Sequence, residues 1–174
     1  SKVIKDLYVS HGSTYQISAK LDGVVDYVPQ IPAGWKMDES VDNVTGVTSL
    51  YITAPTEEAV ASGSAVAEGY LKVVAVLEDG KAMIAKLYLT TSPFKTFTAT
   101  TTHAIIEKYN GVDKFLYGLS AFADYSEAQI FASAAEMLAQ NAEGVSERDI
   151  NALLTDLLGS EIVPDTPYIL WAIP

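Results

Sequence analysis

The side chains best suited to chemistry are sparse and scattered. His11 and His103 stand ninety-two positions apart, each among serines and threonines. A general base must sit within hydrogen-bond reach of the proton it takes. Neither histidine has a neighbouring nucleophile motif, and each reads as a surface strand or loop residue. No GxSxG, HExxH or Walker-type pattern occurs. The stretch "SGSAVAEG" carries glycines, but it lacks a lysine and the strand–loop–helix setting of a phosphate cradle. Carboxylates gather as Asp22 with Asp26, Asp38 with Glu39 and Asp42, and Glu57 with Glu58. Calcium requires several converging oxygens, and these could supply some of them, yet none matches an EF-hand loop. They read as solvated turn carboxylates. A glycosidase needs two carboxylates across a cleft, and no cleft is expected here. With no cysteine, disulfides, thiol catalysis and thiolate metal sites are excluded. The expectation is therefore no catalytic residue, no metal and no cofactor.

Aromatic rings are the remaining candidates: ten Tyr, five Phe and two Trp. Rings displayed on a sandwich surface can stack on sugar faces. Trp35, just after the Pro-Ala-Gly turn of "IPAGW", is the speculative ligand-binding residue; the competing reading has it capping a core. Trp171 lies in an apolar run near the C-terminus and is expected to be buried, or exposed only where a neighbouring strand is absent. "NVT" at Asn43 has the form of a glycosylation sequon, meaningful only in a host that modifies it.

Composition sets outer limits. At 49% hydrophobic and 19% charged, the 174 residues can bury a core as one ordinary domain or two small ones. A formal charge of −11 argues against nucleic acid and against anionic lipid, both of which need clustered Lys and Arg. No apolar run approaches the roughly 20 residues of a membrane helix, so no membrane insertion by this segment is expected. "SKVIKDLYVS" lacks the apolar segment of a signal peptide. Either the protein is cytosolic or this is a mature or trimmed fragment.

The elements that would position these residues are mostly strands. In "TYQISAKL", Tyr15, Ile17, Ala19 and Leu21 alternate with polar residues, the period of a half-buried strand. "SLYITA" repeats it with Leu50, Ile52 and Ala54, and the proline of "PTEE" stops it. In "YLKVVAVLEDGKAMIAKLYL" two β-rich runs flank Asp79-Gly80, a pair suited to the positive φ angles of a tight hairpin turn. "TTSPFKT" reads as a joint, after which "TFTATTTHAIIEKY" and "KFLYGLSAF" resume the strand pattern, the latter alternating Phe115, Tyr117, Leu119 and Ala121. The period then changes. Ser126 with Gln129 forms a capping-box spacing, Ile130, Ala134, Met137 and Leu138 make an apolar stripe, and Gly144 marks a stop. "VSERDINALLTDLLGS" repeats this grammar, with Ser146 as cap, a stripe of Ile150, Leu153, Leu154 and Leu157, and Gly159 as stop. The fold class predicted is mainly β: two β-sandwich domains, 1–92 and 93–174, the second with a two-helix insertion at about 126–158.

"IVPDTPYIL" resembles the L-x-P-x-T-x-Y-x-V stretch of fibronectin type III domains. Ile162, Pro164, Thr166 and Tyr168 take its positions. In that family the tyrosine packs at a corner before the penultimate strand and bonds nearby backbone. The helical pair departs from the family by replacing its short middle strands. The combination is similar to surface and secreted proteins of Bacteroidetes-type bacteria, with an immunoglobulin-like domain preceding a fibronectin-like one. The resemblance implies that "PYILWAI" is a penultimate strand whose last neighbour is not in the sequence, so that the chain is a trimmed fragment. Alternatively, the N-terminal segment or another molecule supplies the missing pairing. It also implies export to the cell surface, periplasm or exterior, and a non-catalytic role as spacer, scaffold or partner-binding domain. A carbohydrate-binding module using exposed aromatics is the alternative, and an enzyme would need a concave polar site. The partners open to it are a protein or a glycan. An unblunted edge at Tyr168, Leu170 and Trp171 would also allow self-association through the C-terminal strand.

Overall fold

The computed structural model describes residues 4–20, 23–121, 125–140 and 143–174. The expectations placed on Leu21 and Asp22, and on the side chains of Ala19, Lys20 and Leu138, lie outside the described residues. The chain is mainly β and divides into two compact units, Ser1–Pro93 and Phe94–Pro174. Among the described residues no sheet contains strands of both.

The first unit carries β1 (Asp6–Tyr8), β2 (Thr14–Lys20), β3 (Val24–Gln30), β4 (Lys36–Val41), β5 (Val47–Thr53), α1 (Glu57–Ala61), β6 (Glu68–Leu77) and β7 (Ala82–Thr90). One sheet runs β1-β7-β6-β3 and the other β2-β5-β4. All pairs are antiparallel except β1 with β7, which is parallel. The inward positions dictated by period-two alternation meet in one core. Leu7, Leu71 and Leu89 come from the first sheet and Ile52 from the second, with Tyr15, Ile17 and Met37 packed against them. Removing each such large side chain from water contributes roughly 1.5–3 kcal/mol.

Two local details differ from expectation. The β6–β7 connection is a three-residue turn in which only Gly80 has positive φ, at 81°. Asp79 stays out of that region and instead accepts the Lys81 N–H through its carboxylate at 3.0 Å. After β5, "PTEE" does more than stop a strand. Thr56 Oγ1 accepts the Ala59 N–H at 3.2 Å and so caps the short helix α1.

The second unit carries β8 (Phe94–Ala99), β9 (His103–Lys108), β10 (Leu116–Ser120), α2 (Glu127–Ala139), β11 (Asp149–Leu153), α3 (Leu154–Leu158) and β12 (Ile169–Ile173). Its sheets are β11-β9-β8 and β10-β12. Phe94 of the first meets Phe115, beside the second, edge-on at 5.2 Å between centroids. Ala104, Ile106, Val112, Leu116, Ala134 and Leu154 are buried with Phe115. The capping box at α2 is complete: the Gln129 N–H donates to Ser126 Oγ at 3.3 Å, and the Ser126 N–H donates to Gln129 Oε1 at 2.7 Å. Ala134 is buried and Ile130 and Met137 are half-buried, so the stripe faces inward.

The second expected helix is largely a strand. Asp149–Leu153 pairs antiparallel with β9, and only Leu154–Leu158 is helical. The segment also carries a period of two in Ile150 and Ala152, and it is this period, without Leu153 of the helical stripe, that the strand uses. Ile150 and Ala152 turn inward, while Asn151 and Leu153 turn outward, Leu153 being 44% exposed. Pairing with β9 and burial of Ile150 and Ala152 on the sheet override the local helix pattern, as tertiary context commonly does. Ser146 therefore caps nothing. Gly159 does end α3, in left-handed conformation, with its N–H on the Thr155 carbonyl. Gly144 is not a helix stop either; a Cβ there would lie 3.0 Å from the Phe115 carbonyl oxygen, where the two backbones bridge.

Candidate functional site

The corner entering β12 is built first. Asp165 takes a left-handed φ of 55°, a conformation that Asp tolerates better than most residues. Thr166 Oγ1 donates to the Pro164 carbonyl at 3.4 Å. The Tyr168 hydroxyl accepts the Val163 N–H at 2.9 Å, tying the strand to the loop five residues upstream. Tyr168 thus acts structurally, as a corner clamp.

β12 then runs antiparallel to β10, with Gly118 opposite Trp171 and Tyr117 opposite Ala172. Glycine at a strand centre marks a close approach. A Cβ on Gly118 would stand 2.5 Å from Trp171 Cζ2 and 2.8 Å from Cε2, so only glycine lets the indole lie across the neighbouring strand. Beside this pair opens a cavity of about 390 Å³. Tyr117, Tyr125 and Trp171 supply rings, and Ser120, Gln129 and Ser133 supply polar groups at its wall. Such a mixture of aromatic surface and a few hydrogen-bonding groups suits a small polar molecule with an apolar face. Sequence reasoning singled out Trp171 but missed the residues around it. Gly118 inside an otherwise bulky strand was the available signal.

A second surface feature lies on the outer face of the first unit. Val28, Val74 and Ile84 stand in register across β3, β6 and β7. Val28 is 60% and Ile84 64% exposed. Val76 extends the patch along β6 and is also exposed. The signal was in "KVVAVL", where after Lys72 the outward positions Val74 and Val76 are valine although a solvated sheet face would alternate to polar residues.

Trp35 is not displayed. Its ring is 5% exposed, packs within the first core, and its Nε1–H donates to the Val66 carbonyl at 2.9 Å. The turn before it aims the ring inward, because the core needs a large side chain where β4 begins. It cannot offer a face to a sugar, and the speculative ligand-binding role is corrected to core packing.

His11 Nδ1 lies 3.0 Å from the Pro55 carbonyl oxygen, and His103 Nδ1 lies 2.8 Å from Thr102 Oγ1, each within its own unit. The Asp42 carboxylate accepts the N–H groups of Val44 and Thr45 at 2.8 and 3.3 Å. The Val44 bond foremost, with the Thr45 bonds, holds its pKa below the ordinary carboxylate value. Glu107 sits between Lys95 at 3.8 Å and Arg148 at 3.5 Å on the outer side of β9. Among the described residues no three His, Cys, Asp or Glu side chains converge as a metal site. No described helix is long and apolar enough to cross a membrane. No protein-family model matches the sequence, and no curated protein matches it significantly.

Proposed function

We propose that the chain is a non-catalytic module of an exported or cell-surface bacterial protein: an immunoglobulin-like sandwich followed by a fibronectin type III-like one with a helical insertion. The strand orders support the fold part of this reading. Immunoglobulin-type sandwiches pair strands as A-B-E-D against C-F-G. Taken in chain order, β2-β5-β4 follow B-E-D and β3-β6-β7 follow C-F-G. In the second unit β8-β9-β11 follow A-B-E and β10-β12 follow C-F. The Tyr168 clamp on Val163 stands where such folds place their corner tyrosine.

Fold does not carry function by itself. The observation that carries a partner-binding role is the row Val28–Val74–Ile84, exposed at Val28 and Ile84 and half-buried at Val74, apolar across three strands of an otherwise acidic protein. Export is tested by protease treatment of intact cells producing the protein. Cleavage without lysis is expected of a surface module, whereas protection until lysis, with recovery in the cytosolic fraction, overturns it.

Carbohydrate binding is the second reading, moved from Trp35 to the cavity at Trp171. Tyr117, Tyr125 and Trp171 supply the stacking surface it requires. A glycan array decides it: retention of a defined sugar that is lost in Trp171→Ala supports the reading, and an empty array removes it.

A further inference from the structure

We propose that the outer face of the sheet β1-β7-β6-β3 docks an extended acidic segment of a partner protein, one with an aliphatic side chain two positions from a carboxylate. The inference rests on the partner-binding reading of the apolar row and names the chemistry that row would meet. Three cross-strand rows stand side by side on this face. Val28, Val74 and Ile84 form the first, and Gln30, Lys72 and Lys86 the second. Tyr70 and Tyr88 form the third, edge-on at 5.4 Å between ring centroids. Lys72, Lys86 and Tyr70 are exposed.

The middle row selects the charge of the partner. Lys72 and Lys86 lie directly opposite each other, and like charges so placed destabilise a sheet. The chain has 22 acidic residues against 11 basic ones, yet among the described residues neither lysine forms an ion pair. The carboxylates on the same face are committed elsewhere. Glu68 accepts the Tyr88 hydroxyl, and Asp6, opposite Tyr88, is buried and engaged. Asp26 stands beyond the apolar row, opposite Val76, and accepts the Tyr27 N–H. Two adjacent cations without counter-charge in so acidic a protein suit carboxylates brought from outside. The rows also fix a spacing. They follow one another every two residues along β6 and β7, about 6.7 Å apart, which is the spacing of alternate side chains in any extended chain. A carboxylate over the lysines therefore sets the side chain two positions on over Val74 and Ile84. An aliphatic row has no ring to stack on a sugar. A second copy related by a two-fold axis through the lysine row would set lysine against lysine.

The probe is a fluorescein-labelled peptide with glutamate and leucine in turn at every second position and serine between them. Fluorescence anisotropy should show it bound more tightly than the same peptide with glutamine for glutamate, although the overall charge of −11 repels it. Lys72→Gln and Lys86→Gln should each weaken binding about two- to fivefold, and Ile84→Ser about tenfold. Lys86→Glu should reduce binding to background while raising the urea midpoint of the free protein, because it turns a repelling pair into an attracting one. That arm separates loss of the site from loss of the fold. Equal binding of the glutamate and glutamine peptides leaves the apolar row a docking surface and overturns the acidic partner. Binding of neither removes the row as a docking surface and the proposal with it. Acidic-peptide binding that survives Lys72→Gln and Lys86→Gln together also overturns the proposal, as does binding of heparin in place of the peptide.

Discussion

The two units solve one problem with different means. Both bury the inner faces of two sheets, but among the described residues the first does so with seven strands, its one short helix burying nothing, and the second with five strands and two helices. In the first, the long β6–β7 hairpin spans the sheet, and Leu7, Leu71, Leu89 and Ile52 fill the space between layers. In the second, the sheet of β10 and β12 is two strands wide, and the buried apolar surface includes Ala134 of α2 and Leu154 of α3. A narrow sheet leaves an edge and a wall of partly covered side chains, and the aromatic cavity lies there. The difference is that the wide sheet of the first unit offers a flat apolar row on its outer face, whereas the narrow sheet of the second offers a concave aromatic wall.

The largest expected effects test whether strand-built and helix-built cores are equivalent. Ile52→Ala in the first unit and Leu154→Ala in the second each remove a side chain from the core, at 1% and 7% exposure. Each should cost about 2–5 kcal/mol, depending on how far the site collapses. Trp35 reports on the first unit and Trp171 on the second, so urea unfolding followed in Trp171→Phe and Trp35→Phe backgrounds reads them separately. An unchanged midpoint for Leu154→Ala would mean that α3 contributes no packing to its core.

A smaller effect concerns how the corners are held. Tyr168→Phe keeps the ring and removes only the acceptor for the Val163 N–H. The loss should be about 0.5–1.5 kcal/mol, since the freed N–H can turn to water. Urea titration measures it, and a loss as large as that of Leu154→Ala would show that the ring itself moves.

The smallest effect concerns the counterpart turn in the first unit. The Asp42 carboxylate holds the backbone after β4, and those bonds keep its folded pKa below the ordinary carboxylate value. A depressed carboxylate contributes stability above its unfolded pKa and loses it as pH falls through the folded one. Asp42→Asn should therefore lie below the parent near neutrality and converge with it in acid, flattening the acid side of the stability profile below about pH 4. Melting curves taken from pH 2 to 7 check this; an unchanged acid slope would show that the two backbone bonds do not persist in solution.

Local pattern alone determined much of this protein. Alternation in "TYQISAKL" and "SLYITA" marked β2 and β5, Asp79-Gly80 placed the hairpin, and Ser126 with Gln129 marked the start of α2, because these signals act within a few residues. Tertiary structure decided the remainder. Asp149 to Leu153 can be read with a helical or a strand period, and pairing with β9 selected the strand, leaving Leu154 to Leu158 helical. Trp35 could have pointed either way from its turn, and the core took it. The cavity joins Gly118 to Trp171 across fifty-three positions, a relation visible only once β10 and β12 pair. Periodicity says which face of an element is apolar; which partner covers that face is a property of the assembled sheets.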